Sequence, residues 1–201
     1  MVAEYQEVLD FWFGEVGEEM TVEDHSQLWF GGSPETDVLI TNRFRDTVSR
    51  AGLGELSHWS KEPQGTLALI VLLDQFTRNI YRGLGAAFRY DSLALALCKR
   101  GLAQNQDLEL TPIERVFFYL PLEHSEVMED QEEAVFRYDR LRQSVTPAHS
   151  RKFDEFYQYA LSHYEVIKRF GRFPHRNSVY GRLSTQEELD WLHKGGQRFG
   201  Q

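Results

Sequence analysis

The chain is poor in several things that would name a function at once. It has one cysteine in 201 residues, so a disulfide framework is excluded. Cys98 sits inside the apolar run LALALC and reads as a buried, inert thiol. No apolar run reaches the length of a membrane span, and Met1 to Tyr5 does not begin a signal peptide, so the expected location is the cytoplasm. Positive charge is also short: 22 Lys and Arg against 31 Asp and Glu leave a formal charge of −9. That balance argues against nucleic acid and against an anionic membrane surface as partners. No stretch alternates with the period of a strand, and no G-x-S-x-G elbow surrounds a serine. Gly83-Leu84-Gly85 is too short to count as a phosphate loop or dinucleotide fingerprint. No clean internal repeat is visible.

What is there is helical, and the expected class is all-α, built from antiparallel helical hairpins with short connections. The length suits one domain over residues 1–201: N-terminal helices and a loop to 62, a motif-bearing core over 63–194, and a frayed tail over 195–201. The centre is Leu67 to Arg82, LALIVLLDQFTRNIYR. Its first half has no polar face, as a buried helix requires. Asp74, Arg78 and Arg82 then follow at i, i+4 and i+8, with Gln75 and Asn79 beside them, so a polar ladder runs along a buried helix.

Around it, Tyr5, Val8, Leu9 and Trp12 mark a first helix ended by Gly14, and Gly17 to Gly32 reads as irregular. Ser33-Pro34 caps a second helix to about Ala51, and Pro63 is placed to start the central one. Asp91 opens another buried helix, stopped by Gly101. Thr111-Pro112-Ile113-Glu114 is a capping box with proline at the first helical position, and Pro121 is expected to kink or interrupt the helix it opens. Glu129 to Gln143 reads as an exposed helix burying Val135, Tyr138 and Leu141 with its acids in water. Thr146-Pro147 opens a longer one, on which Phe153, Phe156, Ala160, His163, Ile167 and Phe170 form the apolar stripe. Gly171 ends it, GRFPHRN is irregular, and Ser184 with Glu187 caps a last short helix.

Three stretches concentrate polar groups among aromatics: Asp74 to Arg82, Glu123 to Glu126 and Arg169 to Arg182. The last holds Arg169, Arg172, His175, Arg176 and Arg182 without an acid, a local cationic spot in an acidic protein. Guanidinium forks suit carboxylate or phosphate ligands, with Asn79 and Asn177 able to fix orientation. The same arginines could instead pair with Glu123 and Glu126 and hold a loop against a helix. His124 and His163, with Glu123, are the candidate acid–base groups, because imidazole titrates near neutrality. Equally, His163 on the stripe could be a core histidine bonded to a carboxylate or carbonyl. No histidine pair stands at the i, i+4 spacing of a helical metal site, and neither a metal nor a cofactor is expected.

LDQFTRNIYRG, FFYLPLEHSE and RFGRFPHRN followed by GR-x-ST-x-EE, in that order, resemble the bacterial family called domain of unknown function 924, from about Trp12 to Leu192. The resemblance implies a fold similar to tetratricopeptide repeats, a right-handed superhelix, and no known activity. Its signature residues correspond here to Asp74, Gln75, Arg78, Asn79, Arg82, Glu123, His124, Glu126, His163, Arg169, Arg172, His175, Arg176, Asn177 and Arg182. Thr77 stands where the family usually has proline, which implies a straighter central helix. Val127 and Leu183 replace acids, against any mechanism needing a carboxylate there. The expected function is a polar pocket for a small anionic ligand, held by Arg78, Arg172 and Arg176, with turnover left open. The alternative is a helical scaffold for a protein partner; the oligomeric state is not set by the sequence.

Overall fold

A computed structural model describes residues 4–200. It is all-α, and among these residues pairing of the strand type is confined to an isolated bridge between Val16 and Thr21. The first helix, α1 (Gln6–Phe13), stops at Gly14, whose φ of 62° lies in the left-handed region. The segment expected to be irregular contains a short helix, α2 (Ser26–Phe30), which buries Trp29 against Phe13 and Phe117. In α3 (Pro34–Gly52) the Ser33 hydroxyl accepts the Thr36 N–H, as the Ser-Pro pair predicts.

The central helix starts at Pro63 as α4 (Pro63–Ile70), widens into a π-helical turn over Val71–Phe76 and closes with α5 (Thr77–Ile80). The central helix is therefore not α-helical throughout, although no proline interrupts it. Thr77 Oγ1 donates to the Leu73 and Asp74 carbonyls at 2.9 and 3.2 Å, helping to satisfy groups that the wide turn loosens. Because the helix ends at Ile80, Arg82 lies beyond it and the ladder breaks after Arg78.

Gly101 does not stop α6 (Asp91–Ala103). It is a packing glycine: a Cβ there would sit 2.5 Å from Phe118 Cζ. The helix α7 (Pro112–Glu123) has its expected capping box and runs through Pro121 for two further residues. On α8 (Met128–Ser144), Tyr138 and Leu141 are buried as expected, but Val135 is half-exposed and Asp130 is an acid that is buried, receiving Ser125 Oγ at 2.8 Å. A turn precedes α9 (Ser150–Phe170), which begins three residues after Pro147 and buries its stripe as far as Ile167. The last helix, α10 (Gln186–His193), is capped one residue later than expected, by Thr185 and Glu188.

The core is one large cluster centred on Leu67 to Phe76, with α1, α3, α6 and α7 around it. Helices α7, α8 and α9 pack in succession across short connections, the arrangement of antiparallel neighbours. A smaller cluster of Val166, Ile167 and Phe173 draws in Trp191 and Phe199. The tail expected to fray is thus folded back onto α9.

Candidate functional site

The end of the central helix, the end of α7 and the middle of α9 meet at a cavity of about 140 Å³. Gln75, Arg78, Asn79, Glu123, His124 and His163 line it, together with Arg82 and an aromatic wall that includes Phe30, Tyr159 and Phe199. Asp74, fully buried, stands behind His124.

The π turn aims Asp74 at α7. His124 Nδ1 lies 2.8 Å from Asp74 Oδ1, Gln75 Nε2 donates to Oδ2 at 2.6 Å, and Arg78 Nη2 is 3.5 Å away. Burial alone would raise the Asp74 pKa, but the His124 and Arg78 charges outweigh it and hold the carboxyl well below its usual range. Asp74 therefore stays a carboxylate, which keeps a proton on the His124 Nδ1 that faces it and leaves Nε2 as the ring position that does not face Asp74. The His124 main chain is held as well, since its carbonyl accepts Arg176 Nη1 at 3.0 Å.

A second histidine and carboxylate stand beside the first. His163 Nδ1 is 2.9 Å from the Tyr159 carbonyl and 3.0 Å from Glu123 Oε1. Its N–H points at the carbonyl, so Glu123 Oε1 and His163 Nε2 are both buried with no hydrogen bond among the described residues. Both side chains are 1% exposed. The two imidazole rings are 5.8 Å apart. Glu123, His124 and His163 each bring one ligand-type atom within 4.8 Å of the others, a set that a divalent ion could use. Helical spacing missed it because two ligands are adjacent at the end of α7 and the third comes from α9.

The arginines are placed differently from the expectation. Arg78 grips Asp91 through both terminal nitrogens, at 2.7 and 2.9 Å, and donates to the Ala87 carbonyl. Its guanidinium and that of Arg176 each lie 4.6 Å from the Phe88 ring. Arg82 grips Asp37 at 2.6 and 2.9 Å, and Asn79 donates to the same carboxylate at 2.8 Å. Arg172 is paired with Glu188 at 2.6 and 2.8 Å, away from the cavity, and holds that carboxyl down to about 2. Asn177 also donates to Glu188, Arg182 grips Glu126, and Arg169 pairs with Glu187 on the surface. Glu126 takes the Phe173 N–H as well. The Arg169 to Arg182 loop is thus a clasp of ion pairs, and among its arginines it is Arg176 that reaches the site, through the His124 carbonyl. His175 packs between Phe173 and Phe199; burial, then Arg176, push its pKa down to about 3, so it stays neutral.

Sequence reasoning missed Asp37, Asp91 and Glu188, the acids that occupy the arginines, because each looks in sequence like no more than part of a helix start. It also missed Tyr159 and Phe199. The Tyr159 carbonyl contact follows from its i−4 relation to His163; nothing local in the sequence points to Phe199.

A family model described as a bacterial protein of unknown function, DUF924, matches residues 8–196. The solved structure of a protein of unknown function, ATU0120, from Agrobacterium tumefaciens is 31% identical and superposes with a TM-score of 0.78, over 95% of this chain and 97% of that one. No curated protein matches the sequence.

Proposed function

The chain belongs to the bacterial DUF924 family, and from that premise we propose that it binds a small carboxylate-bearing molecule in the cavity and moves a proton on it through His124. The observation that carries this is the pair of histidine–carboxylate contacts on one wall, Asp74 with His124 and Glu123 with His163, their rings 5.8 Å apart. A buried carboxylate behind Nδ1 fixes the ring, so that a proton is given or taken at Nε2 in one direction. Asn79 and Arg82, which also line the cavity and are held by Asp37, supply donors for the ligand's oxygens through the hydrogens that Asp37 does not take. Arg78 acts here by neutralising Asp74, and Arg172 by securing the clasp, which revises their expected role as anion holders. A tetratricopeptide-like superhelical path for the helices belongs to the same reading, supported by the succession of α7, α8 and α9.

The test is thermal unfolding against small carboxylates, phosphates, nucleotides and divalent metals, with the native chain and with His124→Gln. Ligand at about a hundred times its dissociation constant adds roughly 2.7 kcal/mol. A carboxylate should raise the midpoint of the native chain by a few degrees and leave that of His124→Gln, which starts lower because Asp74 loses its partner, where it was. A shift with zinc alone would assign Glu123, His124 and His163 to a metal instead. No shift with any compound would favour a scaffold for a protein partner.

A further inference from the structure

The tail of this chain forms part of the cavity wall. Phe199 lies flat on His163, with ring centroids 3.6 Å apart and planes 25° from parallel. Tyr159, Phe173 and His175 complete an aromatic cage, at 5.7, 5.8 and 5.7 Å from the Phe199 ring. One residue on, the Gly200 carbonyl accepts Arg82 Nη1 at 2.8 Å, the arginine nitrogen that Asp37 leaves free. The tail reaching this point is not regular structure. It leaves α10 through Gly195, whose φ is 86°, and Phe199 itself has a φ of 51°, a left-handed conformation that a bulky side chain adopts only when its surroundings compensate.

We infer that Phe199 and Gly200 occupy the ligand's place as a built-in mimic, so that the cavity takes small aromatic acids or amides of the phenylalanyl-glycine type once the tail swings out. The inference rests on the cavity being a small-molecule site and adds the class of molecule. The ring would stack on His163 where Phe199 now does, and a carbonyl or carboxylate oxygen would take the Arg82 donor. Stacking there sets the ligand beside both imidazoles, whose rings are 5.8 Å apart, and near the buried His163 Nε2, which has no hydrogen bond among the described residues. Glycines at 195, 196 and 200 supply the freedom the movement needs.

The experiment tracks the His163 ring protons by NMR in the full-length chain, in Phe199→Ala and in Phe199→Ala with Arg82→Gln. Face-to-face stacking shifts those protons upfield in the native chain, and Phe199→Ala should lose the shift while keeping its fold. N-acetyl-phenylalanyl-glycine should restore it in Phe199→Ala, with at least about tenfold tighter binding than to the native chain. Adding Arg82→Gln should weaken that binding again by about tenfold or more. A folded Phe199→Ala whose His163 signals do not answer to the peptide overturns the inference, and so does a Phe199→Ala that cannot fold, since the ring is then a fixed wall. If acetate or another plain carboxylate still perturbs His124 in that folded variant, the cavity stands as an anion site and only the aromatic class falls. If neither compound perturbs either histidine, both readings fall.

Discussion

A methyl group at position 101 would meet Phe118 at 2.5 Å and Gln106 Oε1 at 2.9 Å. Gly101→Ala should therefore destabilise by about 1–3 kcal/mol in a urea titration, since the backbone of α6 and the ring on α7 must part to admit it. His175 makes a prediction of different kind. Unfolded, it takes up a proton near pH 6.5, whereas in the fold burial and Arg176 delay that to about 3. Over that window acid favours the unfolded chain, so its share of stability is intact above about pH 6.5 and is lost as pH falls, by up to roughly 1.4 kcal/mol per unit. His175→Gln should flatten the decline between about pH 6.5 and 4.5, above the range where ordinary carboxylates titrate. Single residues are legible in the sequence for their chemistry and not for their partners. The α9 stripe places His163 in the interior, and it is buried there, but that Asp91 rather than a ligand would fill the Arg78 fork depends on a turn no periodicity describes.

At the scale of elements, start signals are the most readable part of the chain. Ser33-Pro34, Pro63 and Thr111-Pro112 each open a helix because capping side chains and proline's fixed φ act locally. Interior departures are not readable. The π turn at Val71–Phe76 has no signature in a run of aliphatic residues, yet it carries Asp74 and Gln75 into the site. Thr77 stabilises that turn through its hydroxyl. Thr77→Val keeps the shape and removes the donor, so it should cost about 1 kcal/mol or slightly more in chemical denaturation. The His124 ring should register the same change, through an altered NMR position, because Asp74 is the group the turn positions. A pure loss of stability with His124 unmoved would mean that the turn only packs.

For the molecule as a whole, the all-α class comes from composition and period, while the site depends on contacts between distant parts of the chain. Asp37 meets Arg82, Glu126 meets Arg182, and Asp74 meets His124, each pair separated by more than forty residues. The arginine-rich loop shows how far pattern alone goes: it is visibly cationic in sequence, and its neutralisation by Glu126 and Glu188 appears only with the fold. Among the described residues no helix is long and apolar enough to cross a membrane, as the sequence indicated. The contact between Arg82 and Gly200 joins points 118 residues apart. Closing so long a loop is unfavourable until its two ends have surfaces to meet, so this contact belongs to the end of the folding reaction rather than its beginning. On refolding from urea, far-ultraviolet dichroism should therefore recover its helical signal before His163 regains its native proton shifts, and the chain should pass through a helical form whose cavity is still open to the solvent.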